Sequence, residues 1–359
     1  WVTNIQQFMR LLQRFATLRR TKCSRNLTRA ISSPSNASMR IGIIGAGQLG
    51  RMLALSGYPL GLRFTFLDPS HDACGAQVGE HIVGAYDDPK KLQQLAKEVD
   101  VISFEFENVP VKTLEAIAKR KQIFPPISAL ATSQDRLLEK TLFKKLGIAT
   151  PAFKAVDSLT DLQAAVDSLG VPGILKTRRL GYDGRGQYRL RTSKDVTAAW
   201  QALGGVPLIY EAFVPFTREV SMIGVRSSNG ETAFYPLTDN THQQGVLHLS
   251  VAPFKNTALQ KQAEQYLTKL FKQFNYVGVL TVEFFVLRGQ LIANEMAPRV
   301  HNSGHWTIEG AETSQFENHV RSICGLPLGS TAVRGHAAML NFVGHIPKAN
   351  TCLLYTSDA

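Results

Sequence analysis

Cysteine is scarce: Cys23, Cys74, Cys324 and Cys352 are the only four in 359 residues, and no C-x-x-C spacing occurs. That excludes a disulfide scaffold and a cysteine-based zinc ribbon, and it fits a reducing compartment. Long hydrophobic runs are also missing. No stretch approaches the roughly 20 apolar residues of a membrane helix, which excludes an integral helical membrane protein. Acid is in short supply, with 28 Asp and Glu against 40 Lys and Arg, for a net charge of +12. The deficit is uneven. Residues 1–38 hold seven basic and no acidic side chains, which leaves +5 for everything from Met39 onward. A basic excess concentrated in one tail argues against nucleic-acid binding by the folded part. The mild remainder suits an anionic small substrate. What is present is globular: 44% hydrophobic and 19% charged residues, in a length that calls for two or three packed units.

The first residue is Trp1, not Met. Read from Met9, residues 9–38 are Arg-rich, Ser-containing and free of acid, the composition of an organellar transit peptide. The alternative is a translated upstream region, with the protein starting at Met39. A mitochondrial or plastid address follows from the first reading and a cytoplasmic one from the second. The final residues, TCLLYTSDA, follow no earlier pattern and are expected to be foreign to the fold.

Between these ends, strands alternate with helices. Arg40–Ile44 is an apolar strand, Gly45–Gly50 a glycine turn, and Arg51–Ser56 the start of a helix. Strands at Arg63–Leu67, Ile82–Val83 and Val101–Phe106 alternate with helices at Lys90–Val99 and Lys112–Arg120. The pattern predicts a parallel, doubly wound sheet, with a further strand at Ile123–Phe124. One long amphipathic helix is expected over Ser128–Leu146, then a linker over 148–151. A small lid-like unit follows, with a helix at Leu159–Leu169, strands at Ile174–Arg178 and Tyr188–Arg191, a helix at Lys194–Leu203 and a strand at Leu208–Val214. The remainder is β-rich, with one helix at Leu259–Phe274.

Three motifs carry chemistry. The first is the G-x-G-x-x-G of Gly45, Gly47 and Gly50, with Asp68 at the end of the next strand. Such a turn admits an anion to a helix N-terminus, and the acid stands near the spacing of a ribose ligand. A dinucleotide site and a merely close-packed turn are both open on this motif. The second is Lys176 on a strand, followed by GYDGRGQ at 181–187. Its glycines and Arg185 would fold over phosphates, with Lys176 beneath as a point charge. The alternative is a solvated hairpin turn. The third is the hairpin at 277–299. A three-residue turn at Arg288, Gly289 and Gln290 makes Leu287 face Leu291, Phe285 face Ala293, and Glu283 face Glu295. Directly opposed acids repel, and a hard cation such as Mg²⁺ held with substrate phosphates resolves the conflict. The alternatives are a different register or one protonated acid. Arg299, His301, Asn302, Ser303 and His305 follow in one polar loop, composed like an anion pocket.

Lys176 with GYDGRGQ, EAFV at 211–214, Glu219, His242, Glu283 and Asn294-Glu295 resemble the ATP-grasp fold. GAGQLGRM, FEFENV at 104–109, QDRLLEK at 134–140 and EMAPRVHNSGHWT narrow the resemblance to the N5-carboxyaminoimidazole ribonucleotide synthetases, over residues 39 to about 347. The resemblance implies an α/β and α+β architecture: a Rossmann-like domain over 39–133, an ATP-grasp lid over 134–214 and a larger mixed-sheet subdomain over 215–330. It implies that residues 331–359 begin a β region cut short, so that the chain would bind ATP but carboxylate poorly. The implied reaction is ATP- and bicarbonate-dependent carboxylation of 5-aminoimidazole ribonucleotide through carboxyphosphate. Arg136 and Lys176 would meet the ATP phosphates. Gly181, Tyr182, Asp183, Gly184, Arg185, Gly186 and Gln187 would close over the nucleotide. Glu211, Ala212, Phe213 and Val214 would present the hinge backbone to adenine, Glu219 would bind ribose, and His242 would stand beside the nucleotide. Glu283 and Glu295 would hold Mg²⁺, with Asn294 near. Arg299, His301 and Asn302 would serve bicarbonate and its phosphorylated form, and Gln48, Glu107, Asp183 and Arg185 the aminoimidazole ribonucleotide. A homodimer, and a mutase that takes the product, are implied as partners. A formate-using transformylase or a biotin carboxylase type of ligase would share the nucleotide site and stays open.

Overall fold

The computed structural model describes residues 38–181 and 185–342. The expectations for residues 1–37, for the tail from 343, and for Tyr182, Asp183 and Gly184 lie outside the described residues.

Apolar strands alternating with helices build a parallel sheet first. β1 (Arg40–Ile44), α1 (Gln48–Gly57), β2 (Arg63–Asp68), β3 (Glu80–Val83), α2 (Pro89–Glu98), β4 (Val101–Phe104) and α3 (Val111–Ala118) follow in order. The strands lie side by side as β3-β2-β1-β4. Successive side chains of β1 serve opposite layers. Ile41 and Ile43 pack with Leu53 of α1, while Ile44 packs with Leu92 and Leu95 of α2. β1 is flanked by β2 on one side and β4 on the other, so the connections part here and a crevice opens past the strand ends. Residues 123–124 form no full strand, only a single bridge from Ile123 to Ile102.

The helix expected over 128–146 is two helices, α4 (Ile127–Ser133) and α5 (Arg136–Lys145). Asp135 causes the break. Its side chain accepts from the Leu137 and Leu138 N–H groups, which fixes it as the cap of α5. It also meets Arg178 at 2.6 Å, so the break is tied to the next unit. That unit holds β5 (Phe153–Val156), α6 (Leu159–Leu169), β6 (Gly173–Thr177), β7 (Gln187–Leu190), α7 (Val196–Leu203) and β8 (Leu208–Ala212). Its strands are ordered β5-β8-β6-β7 over a core of its own. β5, half exposed at the sheet edge, lacks the apolar pattern that would have announced it.

The third layer is a seven-stranded sheet. It contains β9 (Arg218–Arg226), β10 (Thr232–Phe234), β11 (Thr238–Gln243), β12 (Val246–Ala252), β13 (Gly278–Leu287), β14 (Gln290–Ala297) and β15 (Ala337–Leu340). The order is β14-β13-β9-β11-β12-β15, with β10 also on β9, and each of these pairs is antiparallel. α8 (Thr257–Phe274) lays Leu259, Ala263, Leu267, Leu270 and Phe271 against it, the spacing of one helical face. α9 (Thr307–Gly310) and α10 (Gln315–Ile323) cover the other side. There Phe316 and Val320 join Ile41, Phe64 and Val279 in one core shared with the N-terminal sheet.

His319 sits at that junction, 1% exposed. Its Nδ1 accepts from the Val279 N–H at 3.1 Å, and its Nε2 lies 3.0 Å from the Ser103 hydroxyl. Burial lowers its pKa from 6.5 to about 4. An unfolded chain therefore takes up a proton below pH 6.5 that the fold refuses until about pH 4. The fold should lose about 3 kcal/mol between these limits. Denaturant midpoints at pH 7.5, 5.5 and 4 check this against His319→Gln. If the variant loses stability with acid as steeply as wild type, the histidine is not the cause.

Candidate active site

The β13–β14 hairpin turns on two residues, not three. Arg288 and Gly289 both have positive φ, 49° and 74°, the geometry of a tight hairpin turn. Leu287 therefore faces Gln290 and Phe285 faces Ile292, which corrects the register expected near the turn. Glu283 nevertheless faces Glu295, because the register shifts by one between Phe284–Ala293 and Glu283–Glu295. Asn294 is the extra residue of this bulge. In a regular strand Asn294 and Glu295 would point to opposite faces; here both line the same cleft.

Lys140 supports the bulge. It is fully buried, and its ammonium donates to the Asn294 carbonyl at 2.5 Å and the Ala293 carbonyl at 3.3 Å. It also stands 3.7 Å from Glu211, whose carboxylate holds Lys176 at 2.9 Å. Burial would raise the Glu211 pKa, but the two ammonium groups bring it down to about 2. Glu139, next to Lys140, accepts from the Met296 N–H at 2.7 Å, and burial pushes its pKa up to about 8.

The two acids across the bulge differ. Burial, then the charge of Glu295, pushes the Glu283 pKa up to about 7. For Glu295 the desolvation is outweighed by Arg136, 2.8 Å away, and the pKa falls to about 2. The Asn294 Oδ1 is buried and has no hydrogen-bond partner. Two carboxylates and an orphaned amide oxygen on one wall are hard oxygen donors, which fits Mg²⁺. Among the described residues no group of three or more His, Cys, Asp or Glu forms a cage. A cation here would complete its shell from phosphate oxygens and water.

The glycine motif is already filled. Glu105, just past β4, accepts from the Gly47 and Gly50 N–H groups, both at 2.5 Å. Asp68 accepts from the Ala46 N–H at 2.9 Å and the Tyr86 hydroxyl at 2.7 Å. A Cβ on Gly45 would stand 2.5 Å from Glu105, and Gly45 has φ of 98°. The chain's own carboxylates thus take the donors that a dinucleotide pyrophosphate would need, and the glycines make room for Glu105.

The three layers enclose a cleft of about 1060 Å³. It is lined by Gln48, Glu107, Arg136, Lys176, Gly181, Arg185, Gly186, Gln187, Glu219, His242, Glu283, Asn294, Glu295, Arg299, His301 and Asn302. Arg299 pairs with Glu107 at 3.1 Å, and His242 lies 3.3 Å from Glu219. Burial would lower the His242 pKa, but Glu219 and the neighbouring carboxylates raise it. Glu211 and Ala212 end β8, paired with Ile174 and Gly173 of β6, and Phe213 and Val214 follow directly. The Ala212 and Phe213 N–H groups donate to Ala152 and Pro172, so these two donors are already engaged and cannot read a base edge. Sequence reasoning missed Lys140 and Glu105 as individual residues, although both lie inside quoted motifs. It also missed the apolar part of the cleft lining, which includes Ile174, Leu247, Phe216 and Phe285, the last two rings stacked 4.6 Å apart.

Two family models match, a ribonucleotide synthetase preATP-grasp domain over residues 38–134 and an ATP-grasp domain over 141–316. The N5-carboxyaminoimidazole ribonucleotide synthase of Pseudomonas aeruginosa is 56% identical over 309 residues, 86% of each chain. The chain belongs to this synthase family. The synthetase of Thermus thermophilus superposes with a TM-score of 0.84 at 53% identity, over 88% of this chain and 87% of that one. The synthase of Aspergillus clavatus, solved with ADP and 5-aminoimidazole ribonucleotide, superposes with a TM-score of 0.81 at 31% identity, over 88% and 85%. Membership in the synthase family makes this an ATP-grasp ligase preceded by a preATP-grasp domain.

Proposed function

We propose that this chain carboxylates 5-aminoimidazole ribonucleotide to N5-carboxyaminoimidazole ribonucleotide, consuming ATP and bicarbonate and releasing ADP and phosphate, a step of purine biosynthesis. The observation that carries the reading is the bulged hairpin wall of Glu283, Asn294 and Glu295, set in one cleft with Lys176, Arg136 and Arg299. Membership in the synthase family supports it, as does the Aspergillus relative solved with ADP and the aminoimidazole ribonucleotide.

Bicarbonate is a weak electrophile. One of its oxygens attacks the γ-phosphorus, ADP leaves, and the carbonyl carbon becomes activated as carboxyphosphate. The substrate's exocyclic amine then attacks that carbon or the CO₂ it releases, and phosphate departs. Glu283, Asn294 and Glu295 would hold Mg²⁺, which neutralises phosphate charge when bound. Lys176 and Arg136 orient the phosphates, and Arg299 and Asn302 the bicarbonate. Ile174, Leu247, Phe216 and Phe285 offer apolar faces for the base. Gln48, at the N-terminus of α1, and Glu107 face the crevice where the ribonucleotide would lie. The same proposal includes a homodimer and a mutase that consumes the product.

ADP release with each substrate omitted in turn tests the reaction. Turnover should require both bicarbonate and the aminoimidazole ribonucleotide. Turnover supported by formate or biotin in their place would move the chain to another ligase type.

A further inference from the structure

The reading of His301 as a residue serving bicarbonate leaves open what its ring does. Its Nδ1 accepts from the Ser303 backbone N–H at 3.3 Å. A backbone N–H can only donate, so Nδ1 carries a lone pair and the ring proton resides on Nε2. The Ser303 hydroxyl, 2.9 Å from the same Nδ1, must therefore donate to it. It then accepts from the Ser221 hydroxyl at 2.8 Å, which accepts from the Asn240 amide N–H at 2.9 Å. The Asn240 carbonyl oxygen accepts from the Ser250 hydroxyl at 2.8 Å.

The order admits one direction. If the Asn240 amide were turned over, its oxygen would draw the single Ser221 proton. Ser303 would then have to donate to Ser221 and not to the ring, and Nδ1 would have to carry a proton against the Ser303 N–H that already points at it. Ser221, Ser250 and Ser303 are fully buried and Asn240 is 6% exposed, so water is poorly placed to repair such a fault. The chain crosses β12, β11 and β9 before reaching the loop. Gln315 clasps the His301 backbone from the other side. It accepts from the His301 N–H at 3.0 Å and donates to the carbonyl at 2.6 Å. The free edge of the ring lines the cleft, with Nε2 3.6 Å from the Glu283 carboxylate.

We propose that Ser250, Asn240, Ser221 and Ser303 form a directional hydrogen-bond chain that locks His301 as a neutral ring with its proton on Nε2. His301 then acts as a hydrogen-bond donor to the anionic oxygens of bicarbonate and its phosphorylated form, not as a proton acceptor. The four chain members are positioning residues. This rests on the carboxylase reading for the ligand and on the geometry alone for the tautomer.

Long-range proton–nitrogen correlation spectra of nucleotide-free, histidine-labelled protein read the tautomer directly. Among the nine histidines, the His301 signal is the one lost in His301→Gln. Wild type should show a protonated Nε2 and a bare Nδ1. A protonated Nδ1, or rapid exchange between tautomers, would overturn the proposal. In the kinetic arm, His301→Ala should lose about 100-fold in kcat, whereas Gln, whose amide N–H reaches the Nε2 position, should stay within about tenfold of wild type. A Gln variant no better than Ala would count for proton transfer and against donation. Asn240→Asp reverses the chain, because an acid there only accepts. The Nδ1–H tautomer should appear and kcat fall about tenfold, with the KM for ATP within about twofold. If that variant misfolds, Ser221→Ala removes the donor that commits Ser303 to the ring and should move both readouts the same way by less. Absent turnover in wild type would count against the carboxylase reading alone, because the spectrum needs no reaction.

Discussion

Glu295→Gln is expected to lower ADP formation about 1000-fold, roughly 4 kcal/mol of transition-state stabilisation. The substitution keeps the shape of the side chain and removes its charge. Three consequences follow from the geometry. A cation bound at this wall would lose one of the two opposed carboxylates that the bulge presents. Arg136 loses its counter-charge at 2.8 Å and is left to compete for the phosphates. Glu283, freed from the neighbouring charge that helps to raise its pKa, ionises more readily but cannot replace a second ligand. Steady-state ADP release across a Mg²⁺ series measures the loss, and nucleotide affinity by calorimetry separates binding from chemistry. Turnover within tenfold of wild type at saturating Mg²⁺ would mean that the cation is held elsewhere.

The second large effect concerns stability. Glu211→Ala should cost about 3–5 kcal/mol, because it leaves Lys140 and Lys176 buried without a counter-charge. Lys176→Met should cost much less, since Glu211 keeps Lys140 as a partner, yet it should reduce ATP-dependent turnover strongly. The pair of variants separates two roles that sequence reasoning merges. Glu211 was expected at the nucleotide through its backbone, whereas its side chain is 2% exposed and serves the two lysines. Urea unfolding of both variants, read beside their kcat, decides the matter. Equal stability of Glu211→Ala and wild type would show that the buried cluster is not held by this carboxylate.

Several features are legible in the sequence itself. Amphipathic periodicity located α6 at its observed ends, Leu159 to Leu169, because its buried positions recur at helical spacing and Gly170 stops it. The sequence also opposes Glu283 to Glu295, but two departures cancel to give that result. The turn is one residue shorter than expected and the bulge adds one back. β11 is not announced by its sequence, TDNTHQ, which is polar. Its inward side chains serve a hydrogen-bonded interior and a cleft, so the apolar alternation that signals a strand is absent. The break at Asp135 is hard to see in the sequence because the helical pattern runs through it, and Arg178, which ties it to the next unit, is 43 residues away.

The linear chain is enough to place the protein in its family, to order its elements and to supply the types of side chain used for chemistry. These depend on local periodicity and on motifs that survive in one dimension. Folding alone settles which carboxylate meets which cation. It places Glu105 in the glycine turn, gives Lys140 the bulge carbonyls, and aligns the hydroxyls that reach His301. Burial and distance set those outcomes. A charge or a hydrogen bond in a dry interior is controlled by whatever lies within a few ångströms, and neighbours such as Lys140 and Asn294 are brought together only when the chain closes on itself.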